Sequence, residues 1–283
     1  MQSNPTLDEL VNEIAELQPL PTVAAQIISI TEDDRFSAHE LATLIASDQA
    51  LTAKMLRLAN SAYYSFPRRI TTVRDAVVLL GFRAVRSATL VSCVIGAAPG
   101  STNISYGSFW QFSMCVGMLS EVLSRAENAH QDHAFTAGVL HNIGRLALDQ
   151  HVPETFGQVI EQARAQGVSI HDAERSMLGF TDAEVGGALT LHWNFPPELV
   201  DAVANHAQPP SAAIDPTSLV AFTVRARAFA RAYGLNDGVE LSERTDTPSE
   251  WTTPPLSVTL SQAGGMETML DKVDAFLETA LPV

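Results

Sequence analysis

Apolar residues in the first part of the chain recur at intervals of three and four, which is the spacing of one face of an α-helix. Two such stripes are Val23, Ile27 and Ile30, and Leu51, Met55 and Leu58. No segment sustains the alternation of apolar and polar residues that a half-buried strand requires. The pattern therefore predicts a compact bundle of short helices in this region.

Capping sequences mark where two of these helices begin. Ser37 and Glu40 form one Ser-x-x-Glu box, and Thr72 and Asp75 form a second box of the same spacing. In such a box the first side chain accepts a hydrogen bond from the backbone amide three residues later. Gly81 follows the second box and predicts the end of that helix, because glycine tolerates the left-handed conformation of a helix C-terminus.

Longer helices are predicted beyond a linker at residues 96–107, which contains Gly, Ser and Pro. Their expected limits are 109–126, 134–151, 153–166, 170–178, 182–193, 197–206 and 217–233. Residues 236–255 are polar and contain prolines, so we expect a poorly packed loop there, followed by a last helix at 260–281. The predicted fold class is all-α. Residues 1–98 and 108–235 form two packed helical lobes of one module, and residues 236–283 follow as a polar loop and a C-terminal helix.

Composition narrows the class of protein. With 283 residues, 46% of them apolar, the chain can bury one large core or two packed lobes. The start of the chain lacks a basic segment followed by an apolar run, and the longest near-apolar stretch, 88–98, is too short to cross a bilayer. Cys93 and Cys115 lack the spacing of a disulfide framework or a structural zinc site. We expect a cytoplasmic protein that does not associate with membranes.

Charge is distributed unevenly along the chain. The formal net charge is −15, which argues against binding to nucleic acid, yet residues 54–86 contain seven basic residues and one acidic residue. These bases either are solvated or paired with the acidic remainder, or they form a docking surface for an acidic partner. Nearby loop aromatics either pack back onto the core or join that surface. The candidate partner surface consists of Tyr63, Tyr64, Phe66, Arg68, Arg69, Arg83 and Arg86.

A series of segments resembles the successive signatures of the HDOD family. They are LQPLPTV at 17–23, IASDQALT at 45–52, LRLANS at 56–61, AVVLLG at 76–81, GVLHNIG at 138–144, LGFTDAEVG at 178–186 and WNFPPEL at 193–199. The resemblance covers about residues 15–235. It implies an all-α fold whose C-terminal lobe is HD-domain-like, related to the HD phosphohydrolases, and a role in bacterial regulation. It does not imply catalysis, because the family is known for degenerate sites.

Five positions decide whether the metal site of the HD hydrolases remains, since such a site needs His and carboxylate donors that converge on one or two cations. The resemblance assigns Phe112 to a position of a His ligand, Asn142 to the Asp of the His-Asp pair after His141, and Arg227 to the final Asp. Asp182 and His206 stand at further ligand positions and can still coordinate. We therefore expect no bound metal and no cofactor, and a remnant pocket that consists of His141, Asn142, Asp182, His206 and Arg227.

The sequence also predicts the surroundings of the histidines. His141 is expected to be buried and hydrogen-bonded to Asn142 or Asp182, or else to contribute to a residual ligand site. The remaining histidines lie at predicted loops or helix ends and are expected to be solvated or to cap helices. His171 is one of them.

The predicted function is a non-enzymatic signal-transduction module that acts through protein contacts, either in the groove between the lobes or at the arginine-rich surface. The alternative is a metal-dependent phosphohydrolase acting on a nucleotide or a cyclic dinucleotide, which would rest on His141, Asp182 and His206. A third interpretation is that a nucleotide is sensed without being cleaved. The expected partner is a signalling protein, and homodimerisation is left open.

Overall fold

A computed structural model describes residues 6–17, 22–30, 37–61, 64, 69–97, 101–130, 133–209, 214–239 and 247–280. Throughout these ranges the regular structure is helical, and they contain no strand. The prediction of an all-α fold is thereby confirmed. None of the helices in the described part of the chain is both long enough and apolar enough to span a lipid bilayer.

The first lobe consists of short helices whose starts follow the predicted caps. The Ser37 side chain accepts a hydrogen bond from the Glu40 amide and completes a capping box, and the Thr72 side chain accepts one from the Asp75 amide. Gly81 ends the helix before it with a φ of 90°. The helices are α1 (Leu7–Leu17), α2 (Thr22–Ile30), α3 (Ala38–Ala46), α4 (Gln49–Ala59), α5 (Val73–Leu80) and α6 (Phe82–Ala97).

The second lobe surrounds α7, whose middle is buried on nearly every side. The helix predicted at 134–151 is in fact two helices, because the chain breaks at His141 and Asn142. The helices are α7 (Tyr106–Glu127), α8 (Ala134–Leu140), α9 (Ile143–His151), α10 (Pro153–Gln166), α11 (Ile170–Met177), α12 (Asp182–His192), α13 (Pro197–Asn205) and α14 (Leu219–Ala232).

Two glycines allow backbones of this lobe to approach closely. A Cβ atom on Gly138 of α8 would lie 2.6 Å from the Cα of Gly117 in α7. A Cβ atom on Gly144 of α9 would collide with the carbonyl oxygen of Asp182, the first residue of α12. Since only glycine lacks a Cβ, these residues allow α8 and α9 to pack directly against α7 and α12.

The C-terminal segment is packed more tightly than its polar composition predicts. The helix expected at 260–281 is divided into α15 (Leu256–Gln262) and α16 (Gly265–Ala280) by Gly264 and Gly265, which have φ values of 100° and 73°. The side chain of Trp251, in a 3₁₀ turn before α15, is buried and stacks on Phe229 with a centroid distance of 4.4 Å. Helix α16 contacts α7 of the second lobe and α4 and α6 of the first, so this segment joins the two lobes.

Candidate functional site

The remnant pocket expected from the sequence is formed where several helix ends of the second lobe meet. His141 ends α8, Asn142 precedes α9, Asp182 opens α12, His206 follows α13, and Arg227 lies within α14. All five are buried. The rings of His141 and His206 lie 5.0 Å apart, and Arg227 is close enough to influence the ionisation of both.

The two central histidines are held in one tautomer. Nδ1 of His141 lies 2.6 Å from the carbonyl oxygen of Gly138, and Nδ1 of His206 lies 2.8 Å from that of Val203. A carbonyl only accepts hydrogen bonds, so each Nδ1 carries the proton and each Nε2 presents a lone pair. Neither Nε2 has a hydrogen-bond partner among the described residues. The partner of His141 is therefore a backbone carbonyl, and the expectation of Asn142 or Asp182 is wrong.

Burial keeps both rings neutral. Burial and the neighbouring Arg227 guanidinium lower the pKa of His141 to about 3. Burial and His141 hold the pKa of His206 well below its usual value. At neutral pH the pocket therefore contains two uncharged imidazoles whose free nitrogens act as acceptors.

Asp182 is the carboxylate of the pocket, and both of its oxygens have close neighbours. Oδ2 accepts a hydrogen bond from Nε of Arg145 at 2.7 Å, and Oδ1 lies 3.0 Å from Nε2 of His171. Burial alone would raise the pKa of Asp182, but Arg145 and His171 hold it well below the usual value. The backbone amide of Asp182 donates to Glu174, whose own pKa is raised well above its usual value by burial and by Asp182.

His171 was expected to be solvated or to cap a helix, and the structure corrects this. It lies in the first turn of α11, where its side chain is only 15% exposed and faces Asp182. Its ring centroid is 5.8 Å from that of His206. A position at a helix start does not tell which way the side chain points, so the local pattern could not reveal this contact.

Arg145 and Asp237 complete the network, and the sequence analysis identified neither of them. Nη1 of Arg145 donates to Oδ2 of Asp237 at 2.8 Å, and Nη2 of Arg231 donates to the same oxygen at 2.6 Å. Asp237 lies in the segment predicted to be a poorly packed loop, yet it is buried. The one available signal was Arg145 itself, a cation within the apolar run from Ile143 to Leu148.

Arg227 differs from Arg145 because it forms no ion pair with a carboxylate in the described part of the chain. The residue is 8% exposed, and its Nε and Nη2 atoms have no hydrogen-bond partner among the described residues. Burial, with Arg231 and Arg145 nearby, lowers its pKa to about 9. The guanidinium therefore remains charged at neutral pH, with Asp237 and Asp182 near enough to favour its charge but without a direct ion pair among the described residues.

The HD-type fold implies a metal site at the position of this pocket. His171, Asp182 and His206 can each offer a donor atom within 4.8 Å of the others. However, Phe112 offers no donor atom and Asn142 no carboxylate, Asp182 is already paired with Arg145, and Arg227 adds a second buried cation. The residues do not fit the two-cation site of a working hydrolase, which needs bridging carboxylates.

The structure describes only part of the candidate partner surface. Arg69 and Arg83 are exposed, and Tyr64 is partly buried against the core. Tyr63, Phe66 and Arg68 lie outside the described residues. The assignment of Arg86 to this surface is wrong, because the residue is only 7% exposed and its guanidinium carbon lies 5.9 Å from the Phe82 ring centroid.

A groove of about 860 Å³ lies where the two lobes and the C-terminal helices meet. Its apolar wall includes Phe82 of α6, Met118 of α7 and Phe276 of α16, and Tyr64 also lines it. We call this cavity the inter-lobe groove. Its basic residues are Arg83, Arg125 and Lys272, and its one acidic residue is Glu121, which pairs with Arg125 at 2.6 Å.

The chain resembles known proteins in sequence and in fold. The chain is 25% identical over 205 residues to an uncharacterized protein of Treponema pallidum (strain Nichols), and the match covers 72% of this chain. It spans only 40% of that relative's length. A crystal structure of a protein from Shewanella amazonensis SB2B, provisionally named a phosphohydrolase, aligns with a TM-score of 0.71 at 25% identity over 96% of each chain.

A second solved structure, from Marinobacter aquaeolei VT8 and provisionally named a signal transduction protein, aligns with a TM-score of 0.70 at 23% identity. That alignment covers 99% of this chain and 60% of the other, and at this identity it supports the fold alone. The model of the HDOD domain family matches residues 17–209, which is well over half of the chain. The chain therefore belongs to the HDOD domain family.

Proposed function

We propose that this chain is a non-enzymatic regulatory module that acts in bacterial signalling through protein contacts. The observation that carries the proposal is the ion pair between Arg145 and Asp182, at 2.7 Å and fully buried. In this ion pair the carboxylate of Asp182 has a structural role. A buried ion pair of this kind is costly to separate, because each charge would be left unpaired in a medium of low dielectric.

The rival function is a metal-dependent phosphohydrolase acting on a nucleotide or a cyclic dinucleotide. The donor atoms of His171, Asp182 and His206 favour it, since they lie within 4.8 Å of one another. The name given to the Shewanella protein points in the same direction. Against it stand the two buried guanidinium groups, because a divalent cation placed beside them would be repelled.

Metal content and turnover separate the two functions. We expect the purified, untagged protein to contain far less than stoichiometric transition metal after incubation with manganese, iron or zinc and removal of excess ions. We also expect no hydrolysis of bis-p-nitrophenyl phosphate. A matched variant carries Phe112→His, Asn142→Asp and Arg227→Asp together. It restores the ligand types of the HD hydrolases and should bind more metal than the wild type. Stoichiometric metal in the wild type, lost in His206→Ala, would contradict the proposal.

The inter-lobe groove is the proposed contact surface for a signalling partner. Aromatic and methionine side chains form its wall and basic side chains lie at its edge, which is the composition of a protein interface rather than of a solvated face. On a chain of net charge −15, a groove that carries an excess of basic residues favours an acidic segment of a partner.

Charge reversal tests the groove. In a pull-down from an extract of the native source, Arg83→Glu and Lys272→Glu should weaken capture of the partner, because like charges then face each other. Arg74→Glu is the matched control, since Arg74 is exposed on α5 but does not line the groove. Equal capture by all three variants would exclude the groove as the contact surface.

A further inference from the structure

The unmatched charge of Arg227 is the starting observation. Arg145 is paired with Asp182 and Asp237, and Arg231 is paired with Asp237. Arg227 has no such carboxylate among the described residues, although more than nine-tenths of its surface is buried. Buried charges in proteins are as a rule paired or hydrogen-bonded, because the loss of hydration is otherwise uncompensated. The position is therefore suited to an anion that the chain itself does not supply.

The free hydrogen-bonding atoms around Arg227 are of both kinds. Nε and Nη2 of Arg227, Nη2 of Arg145 and Nδ2 of Asn142 are buried donors without a partner among the described residues. The buried acceptors in the same condition are Nε2 of His141 and of His206, Oδ1 of Asn142, Oδ1 of Asp182 and Oε1 of Glu174. They lie in one region, because the ring centroids of His141 and His206 are 5.0 Å apart and Asn142 follows His141 in the chain. Arg227 is close enough to lower the pKa of both histidines. A ligand that satisfies these donors and acceptors must accept several hydrogen bonds and also donate at least one.

We propose that the pocket binds the protonated phosphate group of inorganic phosphate or of a phosphomonoester, with the Nε and Nη2 fork of Arg227 on two of its oxygens and a histidine Nε2 accepting from its hydroxyl. The guanidinium fork matches two oxygens of a tetrahedral oxyanion, which explains why arginine suits this contact better than lysine. A phosphate that carries a hydroxyl supplies the donor that the histidine lone pairs need. Sulfate has the same shape but no hydroxyl at neutral pH, so it leaves them unpaired.

This inference rests on the proposed function, because it requires that no metal occupies the pocket. The inference also goes beyond the proposed function. It assigns Arg227, which by resemblance stands at the position of a lost metal ligand, to the binding of an anion, whereas the HD hydrolases hold cations there. Among the described residues of the pocket, Arg227 is 8% exposed and the side chain of His171 is 15% exposed, so we expect a ligand to enter beside them.

Isothermal titration calorimetry in a phosphate-free buffer tests the inference, with metal content measured on the same preparation. Inorganic phosphate should bind the wild type, and sulfate should bind at least about tenfold more weakly, because it leaves a buried histidine acceptor without a donor. Adenosine monophosphate and dimethyl phosphate distinguish the sources of the group. Binding of the monophosphate alone would assign the site to a phosphomonoester, and equal binding of the diester would overturn the role of the hydroxyl.

Three variants measure the contribution of Arg227 to binding separately from that of other residues. Arg227→Met should abolish phosphate binding, and it should fold because it removes an unpaired buried charge. Asn142→Ala, with the guanidinium intact, should weaken binding without abolishing it. Arg225→Met is the matched control, since Arg225 lies on the same helix but pairs with Glu250 at 3.0 Å, and it should bind phosphate like the wild type.

Four results would decide the inference. Phosphate binding that Arg227→Met leaves unchanged would overturn it, and so would equal affinity for sulfate. A metal-free protein that binds neither anion would overturn the inference but leave the proposed function standing. A protein that carries stoichiometric metal would overturn both.

Discussion

Single polar residues, rather than the apolar core, distinguish this pocket. Asp237 shows this most clearly, because its carboxylate accepts from Arg145 at 2.8 Å and from Arg231 at 2.6 Å. Burial alone would raise the pKa of Asp237, but Arg145 and Arg231 hold it far below its usual value. The ionised carboxylate is therefore a structural part of the second lobe, although it stands in a segment whose composition predicts a loose loop.

Neutralising Asp237 should destabilise the protein strongly. We expect Asp237→Asn to lower the free energy of unfolding by about 3 kcal/mol, because one partner of a buried pair is removed and a guanidinium loses its counter-charge. Urea denaturation followed by circular dichroism measures the change. Asp274→Asn is the matched control, since Asp274 is exposed and accepts only from Gln111, and it should cost under about 0.5 kcal/mol. Equal effects of the two substitutions would refute the structural role of Asp237.

The buried histidines predict a pH dependence of stability. His141 has a folded pKa of about 3 against an ordinary value of 6.5, so the unfolded chain takes up a proton first as the pH falls. Its contribution is intact above pH 6.5 and is lost progressively as the pH falls towards 3. Glu174, with a raised pKa, acts in the opposite direction, so the informative quantity is the difference between wild type and variant.

We expect the loss of stability between about pH 7 and about pH 5 to be smaller in His141→Gln than in the wild type, because glutamine does not titrate in this range. Urea denaturation at both pH values measures it. His192→Gln provides the control, since His192 is exposed on the surface. If His141→Gln and His192→Gln keep the same pH dependence as the wild type, His141 is not neutral in the folded protein.

Among the helices, the break between α8 and α9 shapes the pocket. The break places His141 at the end of α8, with its Nδ1 on the carbonyl of Gly138 at 2.6 Å. Gly144, in the first turn of α9, then lies directly against the backbone of Asp182. The position of the carboxylate relative to His141 therefore depends on the close contact of α9 with α12.

Gly144→Ala should separate these two helices. The new methyl group would collide with backbone atoms of Asp182 and Gly186, which cannot move away as a flexible side chain could. We expect a loss of about 3 kcal/mol in the free energy of unfolding, at the upper end of overpacking costs. Gly107→Ala is the control, because a Cβ on Gly107 meets nothing within 4 Å. If Gly144→Ala unfolds at the same urea concentration as Gly107→Ala, the close contact is not required.

At the scale of the whole molecule, the C-terminal helices hold the two lobes together. Phe276 of α16 is completely buried and lines the inter-lobe groove. We expect Phe276→Ala to cost about 3–5 kcal/mol, because a large side chain is removed from a closed core. Val258→Ala is the control, since Val258 in α15 is 49% exposed. Thermal unfolding measured by calorimetry would show the difference, and equal midpoints would mean that α16 does not stabilise the lobes.

Much of the helical framework could be predicted from local patterns, and much of the pocket could not. The caps at Ser37 and Thr72 were recognisable because a capping box lies within four residues of sequence. The inward orientation of Arg86 was missed, because a cation in a basic stretch is usually exposed. His171 was missed for a related reason, since its direction depends on the packing of α11 rather than on its neighbours in sequence.

The sequence by itself determined the all-α fold, most helix starts and membership of the HDOD family, and it predicted from resemblance that Phe112, Asn142 and Arg227 stand at positions of metal ligands. Only the tertiary structure decided that Arg145 and Asp237, 92 residues apart, pair in the interior, and that Nε and Nη2 of Arg227 find no partner within the described ranges. The physical reason is the range of the forces involved. Caps and apolar stripes act between neighbours in sequence, whereas the pairing of buried charges depends on which distant segments exclude water from one another.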